Sequence, residues 1–477
     1  MSKQTKIVAT ISDIRCDVDF IRSLYNAGMN VVRMNSAHMN LDGFRRIVNN
    51  VREVSPKIGI LMDTKGPEIR TTSVSQPIEL KTGEIISVLG DPDKESSGEC
   101  IYVSYRGFVS DINVGTVILF DDGEIAIKVV DKKEECLICE VQNDGLLGGH
   151  KSVNVPGTRI SLPSLTERDK QNINIAIDLD IDFIAHSFVR TKQDVLEIQK
   201  ILDERKSDIK VIAKIENQEG VDNADEILEV AYGLMVARGD LGIEVPQEKI
   251  PGIQRVLIRK AIQAKKPVII ATQMLHSMIQ NPRPTRAEIT DIANAIYYRT
   301  DALMLSGETA YGKYPLEAVQ TMAKIAEEAE KTKLSENDIP VPETLDVVSY
   351  LCKTAVEATA KLPTKAIITD SYSGRTARYL AAYRSKNPLL AICHNEYVMR
   401  QLALSYGVFP QFWTENTTST QYFKDSLNRY IDQGVISKDD LIVYISGAFK
   451  IEGATSFLEI NFVSKLLDSN RFNLPEK

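Results

Sequence analysis

Eight short runs of apolar residues, each followed by a segment of helical periodicity, constrain the fold of this 477-residue chain most strongly. Parallel strands that are covered by helices on both faces have sequences of this kind. Eight strand–helix units close into a (β/α)8 TIM barrel, an α/β fold whose active site lies at the carboxyl ends of the strands. The predicted barrel strands are KIVATI (6–11), NVVRMN (30–35), IGILMD (58–63), FIAHSF (183–188), KVIAKIE (210–216), LMVARGD (234–240), PVIIATQ (267–273) and ALMLSGE (302–308).

The stretch between the third and fourth of these strands has a different pattern. GTVILFDDGEIAIKVV (115–130) consists of two alternating strands around an Asp-Gly turn, which is a strong hairpin signal. We therefore predict that residues 66–156 form a small β-barrel domain inserted into the TIM barrel, which comprises residues 1–65 and 157–334. Beyond a charged, Pro-containing linker, strands KAIITD, LLAICH and LIVYISG predict a C-terminal α/β domain over residues 335–477.

The composition, with 43% hydrophobic and 26% charged residues, is that of an ordinary globular protein. The net charge of −8 gives no sign of a general nucleic-acid surface, and no window is apolar for long enough to span a membrane. Because the first residues lack a signal-peptide pattern and the six cysteines are typical of reduced thiols, we expect a cytoplasmic protein. Cys136 and Cys139 form a CxxC that we interpret as two strand residues, with a metal or redox pair as the alternative.

Charged residues stand at the ends of two consecutive predicted strands. Lys214 and Glu216 are two positions apart and therefore share one face of their strand. The next strand ends in Arg-Gly-Asp, which brings Asp240 beside Glu216. Two carboxylates from adjacent strand ends can hold Mg²⁺ and leave coordination sites for a substrate phosphate. The alternative is a structural Lys–Glu pair at the rim of the barrel.

Cations are more numerous at the predicted strand ends than a metal site requires. Arg33, Lys65, Arg70 and Lys214 suit phosphate groups, which arginine binds through a bidentate fork. The reaction that needs Mg²⁺, several cations and few general bases is phosphoryl transfer, in which catalysis rests on positioning and charge stabilisation. The chain has no GxxxxGK[ST] loop, so a P-loop enzyme is excluded.

The motifs TKIVATI, MDTKGPEIR, KIENQEG, VARGDLG, NPRPTRAEITDIANA and MLSGETAYGKYP follow one another along nearly the whole chain. As a set they resemble the pyruvate kinase family closely. The resemblance implies a barrel domain, a lid-like inserted domain and a regulatory C-terminal domain. It also implies phosphoryl transfer from phosphoenolpyruvate to ADP, the last step of glycolysis, with Mg²⁺ (or Mn²⁺) and K⁺ as cofactors.

The resemblance also assigns roles to individual residues. It implies that Lys214 stabilises the transferring phosphoryl group, that Arg33 contacts the substrate phosphate, and that Thr272 assists protonation of the enolate carbon through water. These three are the implied catalytic residues. The implied binding residues are Arg33, Lys214, Arg238, Gly239, Asp240 and Thr272 for the substrate, Arg70, Lys151 and His38 for the nucleotide, and Glu216 and Asp240 for Mg²⁺.

The residues that match the family's monovalent-cation site are Asn35, Asp63 and Thr64. The family's fourth ligand is a serine where this chain has Ala37, so either Ser36 or a water molecule takes its place, or the K⁺ site is weaker. Glu68 matches the K⁺-dependent members, because independent ones carry a lysine there that supplies the missing charge. We therefore predict K⁺ dependence.

Two further departures from the family pattern lie in loops. Residues Ser12–Arg15 replace the Gly-Pro-x-Ser of a loop near the nucleotide, so the ADP pocket is expected to differ in detail. Tyr298 and Arg299 replace an Asp-Gly pair, and we expect them near the rim of the active site. Neither departure touches the implied catalytic residues.

In the predicted C-terminal domain, SYSGRTARY (371–379) combines hydroxyls, a glycine and a helix start, which suits phosphate binding. In the family this loop holds sugar-phosphate effectors, and GAFKIEGAT (447–455) matches the loop that closes over them. An ordinary capped helix start is the alternative. The family resemblance also implies a homotetramer. The predicted effector residues are Ser371, Ser373, Gly374, Arg375 and Thr376, with Tyr372 where the family often has lysine.

Two other classes of protein stay open as alternatives. A different barrel enzyme that acts on phosphoenolpyruvate or pyruvate, such as a carbon–carbon lyase or a phosphomutase, can share the metal–carboxylate site, but is not expected to carry the insertion or KIENQEG. A non-catalytic ligand sensor or scaffold predicts damage at the lysine or the metal ligands, and both are intact. Formation of pyruvate that depends on ADP and Mg²⁺ separates the three.

Overall fold

A closed barrel of eight parallel strands is the centre of the computed structural model, which describes residues 3–37, 39–332, 341, 346–413, 419–447 and 455–468. The barrel strands, numbered along the whole chain, are β1 (Lys6–Thr10), β2 (Val31–Asn35), β3 (Gly59–Asp63), β12 (Phe183–His186), β13 (Lys210–Ile215), β14 (Gly233–Ala237), β15 (Val268–Ala271) and β16 (Ala302–Leu305). They follow this order around the barrel, and β16 pairs with β1. Each overlaps one predicted run, so the predicted TIM barrel is confirmed.

Apolar side chains from alternate strand positions fill the interior of the barrel. Val8, Leu61 and Ile212 belong to this buried cluster, since every second residue of a strand faces the same side. Ala403 and Leu404 of the C-terminal domain belong to the same cluster. They close the amino end of the barrel, because the neighbouring Arg400 carbonyl lies against Gly59 at the start of β3. The opposite, carboxyl end is left for polar groups.

Helices surround the barrel, and the longer ones bury an apolar face against it. The barrel helices are α1 (Val18–Asn26), α2 (Leu41–Val54), α4 (Glu167–Asp178), α5 (Lys192–Glu204), α6 (Gln218–Asp222), α7 (Ala224–Val230), α8 (Arg238–Glu244), α9 (Ile250–Gln263), α10 (Arg286–Tyr297), α11 (Gly307–Ala310) and α12 (Pro315–Lys331). Capping boxes at Thr166 and Thr285 begin α4 and α10, because hydroxyl and carboxylate oxygens satisfy the first N–H groups.

The inserted domain consists of β-strands and one short helix. It comprises β4 (Ile78–Leu80), β5 (Ile85–Gly90), β6 (Cys100–Val103), α3 (Phe108–Asp111), β7 (Val117–Phe120), β8 (Ile125–Lys132), β9 (Leu137–Val141), β10 (Gly145–Leu147) and β11 (Val153–Asn154). Six strands form a sheet in the order β11-β7-β8-β9-β5-β6, and β10 pairs with β4. Bridges of Arg70 with Ser152 and of Thr71 with Val103 span the gap between the two edges of the sheet, which therefore curls towards a barrel.

The predicted hairpin joins β7 to β8 through Asp121, Asp122 and Gly123, whose φ angles are 50°, 56° and 93°. Asp and Gly adopt this left-handed conformation more readily than most residues, so the local sequence sets the turn. Cys139 lies in β9, but Cys136 precedes that strand, and the interpretation of both as strand residues is wrong for Cys136. All six cysteines are free thiols.

The C-terminal domain is a five-stranded sheet with a separate apolar cluster on each face. Its elements are α13 (Val347–Lys361), β17 (Thr364–Ser371), α14 (Arg375–Ala382), β18 (Leu389–Cys393), α15 (Glu396–Gln401), β19 (Val408–Phe412), α16 (Ser419–Asp432), β20 (Leu441–Gly447), β21 (Thr455–Phe462) and α17 (Val463–Asp468). The predicted α/β architecture is confirmed, although β19 and β21 were not foreseen. None of the helices in the described part of the chain has the length and apolar character needed to cross a bilayer.

A buried ion pair joins the C-terminal domain to the amino end of the barrel. Arg384 donates to both carboxylate oxygens of Asp301 at 3.0 Å, and the two side chains are only 3% and 5% exposed. The same guanidinium donates to the carbonyl of Arg299. The prediction that Tyr298 and Arg299 lie near the active-site rim is wrong, because residues that precede a barrel strand lie at its amino end, opposite the active site.

We expect Arg384→Met to lower the free energy of unfolding by about 3–5 kcal/mol, because it leaves the Asp301 carboxylate buried without its cation. Urea denaturation measures this loss. Arg45→Met is the matched control, since its partner Asp42 lies 4.0 Å away and both side chains are more than half exposed. The control should change stability by no more than about 0.5 kcal/mol. Equal effects of the two substitutions would contradict a stabilising role for the buried pair.

Candidate active site

Charged side chains continue the inward face of the barrel strands at their carboxyl ends. Arg33, Asp63 and Lys214 each lie two positions beyond an apolar residue of the interior cluster. The ammonium of Lys214 lies 3.0 Å from Asp63 Oδ1 and 3.0 Å from Glu216 Oε1. The structure thus brings together residues that the sequence predicted on two different strands.

Arg33 adds a third ion pair to this group of side chains. Its Nε and Nη2 donate to Asp63 Oδ2 at 2.8 and 2.7 Å, and its Nη1 donates to Thr10 Oγ1 at 3.2 Å. Arg33, Asp63, Lys214 and Glu216 therefore form a chain of charges that alternate in sign, which we call the charge cluster. The exposed fraction of its side chains ranges from 1% for the two carboxylates to 12% for Arg33.

Burial disfavours the charged form of each group, and the neighbouring charges decide the direction of each pKa shift. Burial lowers the pKa of Lys214, but Asp63, Glu216 and Asp240 outweigh it and raise that pKa above its ordinary value. Burial raises the pKa of Asp63, but Lys214 and Arg33 outweigh it and lower that pKa. For Glu216, burial and the charge of Asp240 outweigh the attraction of Lys214 and raise the pKa to about 8. Glu216 is therefore a carboxylate that a further cation would stabilise.

Asp240 was expected at the end of a strand, and the structure places it in a helix. Strand β14 stops at Ala237, and Arg238 begins helix α8, so Asp240 lies in the first turn of that helix. A carboxylate is favourable there because the helix amino end carries partial positive charge. Asp240 is close enough to Glu216 for its charge to raise the pKa of that residue. The two carboxylates thus interact electrostatically in the structure.

Thr272 and the start of α8 are held together by hydrogen bonds. The N–H of Gly239 donates to Thr272 Oγ1 at 2.8 Å, and that hydroxyl donates to the carbonyl of Ala271 at 2.7 Å. The guanidinium of Arg238 donates to the Thr272 carbonyl at 2.6 Å and to both oxygens of Asp291 at 2.7 and 2.8 Å. Thr272 has a φ of 65°, a strained conformation for a β-branched residue, and such strain concentrates at functional sites.

Sequence reasoning missed Ser187 and Phe188, which follow strand β12 at the same end of the barrel. Lys214 Nζ donates to Ser187 Oγ at 2.7 Å, and the N–H of Phe188 donates to Glu216 Oε2 at 2.7 Å. Both contacts therefore hold members of the charge cluster. The signal was available, because Ser187 lies two positions beyond Ala185, a residue of the barrel interior.

Two predicted nucleotide-binding residues lie side by side at the base of the inserted domain. Arg70 contacts Glu68 at 2.8 Å and donates to the carbonyl of His150 at 2.6 Å. Lys151 contacts Asp121 at 2.7 Å, and its carbonyl accepts from the N–H that follows Arg70 in the chain. Their side chains are 43% and 38% exposed, so both can reach a ligand. His38, the third predicted nucleotide-binding residue, lies outside the described residues. Lys65, which was predicted as a cation for phosphate groups, is exposed.

The residues predicted to bind a monovalent cation meet beside the charge cluster. The Thr64 carbonyl accepts from Ser187 Oγ at 2.6 Å, and Asn35 Oδ1 accepts from the N–H of Ala37 at 3.1 Å. Asp63 binds Arg33 and Lys214, as described above. Ser36 is fully buried, and its Oγ has no hydrogen-bond partner within the described part of the chain.

The predicted effector loop connects β17 to α14 in the C-terminal domain. Gly374 has a φ of 76° and precedes the first helical residue, Arg375. Arg375 contacts Asp346 at 2.9 Å, and Thr376 Oγ1 lies 2.8 Å from Thr455 Oγ1. Ser371 Oγ is buried and has no hydrogen-bond partner among the residues that the structure describes. Most of the predicted closing segment, residues 448–454, lies outside the described residues.

The sequence matches two family models, "Pyruvate kinase, barrel domain" over residues 2–319 and "Pyruvate kinase, alpha/beta domain" over residues 349–461. A pyruvate kinase of Borreliella burgdorferi is 46% identical over 470 residues, which cover 97% of this chain and 98% of the relative. A pyruvate kinase of Bacillus licheniformis is 44% identical over 483 residues, which cover 98% of this chain and 81% of the relative.

Solved structures give the same result. The crystal structure of a pyruvate kinase from Cryptosporidium parvum superposes with a TM-score of 0.91 at 34% sequence identity. The superposition covers 97% of this chain and 96% of the other. Fold, motifs and relatives agree over nearly the full length, and the chain belongs to the pyruvate kinase family.

Proposed function

We propose that this chain transfers the phosphoryl group of phosphoenolpyruvate to ADP at the charge cluster of the barrel. The family catalyses this reaction, which yields pyruvate and ATP. The observation that carries the proposal is the position of the Lys214 ammonium, 3.0 Å from both Asp63 and Glu216 at the mouth of the barrel. Phosphoryl transfer needs such fixed charges in a site that excludes water.

Glu216 and Asp240 are the proposed ligands of Mg²⁺. Both offer carboxylate oxygens, and Mg²⁺ is commonly held by one or two carboxylates together with water and substrate oxygens. The raised pKa of Glu216 supports this assignment, because the surroundings do not fully compensate the charge of that carboxylate. Bound Mg²⁺ supplies charge neutralisation on the substrate oxygens.

The remaining substrate contacts fall to the chain's own residues. Arg33 binds the phosphate through its fork, and Lys214 stabilises the charge on the phosphoryl group in transit. The backbone N–H groups of Arg238 and Gly239, with Asp240, receive the substrate carboxylate. In the structure the Gly239 N–H donates to Thr272 Oγ1. When substrate binds, this N–H donates to the substrate carboxylate instead. The Thr272 hydroxyl is then free to orient the water that protonates the enolate carbon.

The inserted domain supplies the proposed nucleotide contacts. Arg70 and Lys151 are neighbours on its base and pair with Glu68 and Asp121, so the phosphates of ADP replace these carboxylates as their partners. His38 completes the proposed nucleotide site. Exposed ion pairs contribute little to stability, so this exchange costs little.

Asn35, Asp63 and the Thr64 carbonyl are the proposed K⁺ ligands. Each offers oxygen, the donor that hard cations prefer. Asp63 belongs to the charge cluster, Asn35 is paired with it across strands β2 and β3, and the Thr64 carbonyl follows it in the chain. No fourth side-chain oxygen comes from Ala37, which has none. The Glu68 carboxylate, which pairs with Arg70, supports K⁺ dependence because it leaves no lysine charge at that position.

Further proposals concern regulation and assembly. Ser371, Ser373, Gly374, Arg375 and Thr376 form a loop at a helix start, and the unpartnered Ser371 hydroxyl supports binding of a phosphate-bearing effector there. We also propose a homotetramer and a cytoplasmic location, as is usual in the family. The six free thiols agree with a reducing compartment.

Lys214→Met should lower kcat about 100- to 1,000-fold while phosphoenolpyruvate and Mg²⁺ still bind, because the ammonium acts on charge that develops in the transition state. A coupled assay of pyruvate formation measures kcat. Lys266→Met is the matched control, since Lys266 is another lysine that bonds to buried carbonyls, such as Ala231 at 2.6 Å, but at the amino end of the barrel. Turnover at the wild-type rate in Lys214→Met would refute the role.

Asp240→Ala should weaken Mg²⁺ and phosphoenolpyruvate together, each by about tenfold or more, because one charged ligand serves both. Titration of Mg²⁺ at fixed substrate, and of substrate at fixed Mg²⁺, gives the two half-saturation concentrations. Glu248→Ala, which removes an exposed carboxylate outside the proposed site, should change neither. An unchanged metal requirement in Asp240→Ala would count against Asp240 as a ligand.

Pyruvate formation should require K⁺ when ionic strength is kept constant with tetramethylammonium. Glu68→Lys should reduce this requirement, because the new ammonium supplies positive charge near the site. The ratio of turnover with and without K⁺ in each protein is the measurement. Wild-type turnover that is indifferent to K⁺ would keep the enzyme but overturn the interpretation of Glu68.

A further inference from the structure

Ser187 is an almost fully buried hydroxyl in contact with three groups of the active site. It is 2% exposed and directly follows β12. Its Oγ lies 2.7 Å from Lys214 Nζ, 2.6 Å from the Thr64 carbonyl and 3.3 Å from Asp63 Oδ1. The N–H of Ser187 also donates to Thr64 Oγ1 at 3.0 Å, so backbone and side chain are fixed together.

The chemistry of the partners sets the direction of these hydrogen bonds. An ammonium only donates, so Ser187 Oγ accepts from Lys214. The single hydroxyl proton of Ser187 then goes to the Thr64 carbonyl, the nearer of its two acceptors. The result is a directed chain from Lys214 through Ser187 to the Thr64 backbone, and it ties the lysine to a rigid strand end.

Ser187 differs from the other two acceptors of the Lys214 ammonium. Asp63 also binds Arg33, and Glu216 is a proposed metal ligand that already accepts from the Phe188 N–H. Both are anions that neutralise the lysine, whereas Ser187 is neutral. A neutral acceptor holds the ammonium in place and leaves its charge for an incoming phosphoryl group.

The turn that carries Ser187 is tightly packed. Phe188 has a φ of 56°, and Gly66, with a φ of 70°, covers the turn. A Cβ on Gly66 would lie 2.8 Å from the Phe188 ring and 3.0 Å from Ser187 Cβ, so the position tolerates only glycine. The Ser187 hydroxyl is thus presented by a backbone with little room to move.

We propose that Ser187 is a positioning residue that aims the Lys214 ammonium at the transferring phosphoryl group. The proposal rests on the proposed role of Lys214. Ser187 acts through the lysine, so its loss affects the transition state more than the binding of substrate. Groups that orient a functional side chain commonly contribute about 10- to 100-fold.

Ser187→Ala should lower kcat about 10- to 100-fold, while the dissociation constant of phosphoenolpyruvate, measured by calorimetry with Mg²⁺, changes less than about threefold. Ser426→Ala is the matched control, because Ser426 is fully buried in the C-terminal domain and its hydroxyl also donates to a carbonyl, that of Tyr422 at 2.8 Å. A loss of stability that occurs in both variants comes from the loss of a buried hydroxyl and not from a role in catalysis. The control should keep the wild-type kcat.

Ser187→Cys keeps the volume of the side chain and replaces the hydroxyl by a weaker hydrogen-bonding group. It should fold like the wild type and show a kcat between those of wild type and Ser187→Ala, which keeps the test decisive if the alanine variant is unstable. Wild-type kcat in a folded Ser187→Cys or Ser187→Ala protein would overturn the proposal. So would a loss that appears only as weaker binding of phosphoenolpyruvate.

A double substitution separates this proposal from the proposed role of Lys214. If Ser187 acts through the lysine, Ser187→Ala should cause no further loss of kcat in a Lys214→Met background. A further loss of the full 10- to 100-fold size would show that Ser187 acts independently and would refute the proposal. The single Lys214→Met variant tests the lysine itself, so the two ideas can fail separately.

Discussion

The burial of four charges at the mouth of the barrel is the constraint on which the rest of the structure depends. Removing Lys214 and its neighbours from water is costly unless each charge meets an opposite one in good geometry. Arg33, Asp63, Lys214 and Glu216 meet this condition because they alternate in sign and contact one another at 2.7–3.0 Å. The charges therefore largely offset one another, and Glu216 is the least compensated member, because burial and Asp240 raise its pKa. A ligand that binds at this end of the barrel meets side chains that hydrogen bonds and ion pairs already hold in place.

The TIM barrel makes this arrangement possible because its interior is otherwise apolar. The inward face of β3 runs from Leu61 to Asp63, and that of β13 runs from Ile212 to Lys214. On each of these strands, the last apolar residue of the barrel interior and the first charged residue are therefore only two positions apart. The inserted domain follows β3 at this end, and the C-terminal domain covers the other end. Catalytic and structural contacts are divided between the two ends of one set of strands.

Sequence patterns predicted the barrel, the insertion and the main charged residues because these depend on local periodicity. The pairing of Lys214 with Glu216 follows from their spacing on one strand. The Ser187–Thr64 contact joins residues 123 positions apart, and such long-range packing leaves little trace in a single sequence. The guanidinium of Arg238, which braces Asp291, was equally unforeseen. Arg299 was misplaced for a different reason, since strand direction decides which end of the barrel a flanking residue occupies.

The closure of the barrel's amino end by residues of the C-terminal domain has a consequence for the synthesis of the chain. Ala403 and Leu404, which close the amino end of the barrel, are encoded after all eight of its strands. When β16 has left the ribosome, all eight barrel strands are therefore present, but the apolar residues at the amino end of the barrel are still exposed to water. Domains generally fold as units during synthesis, but here the first unit lacks part of its own core until the last domain emerges. Until the C-terminal domain is synthesised, the nascent barrel exposes this apolar surface, to which a chaperone that holds unfolded chains would bind.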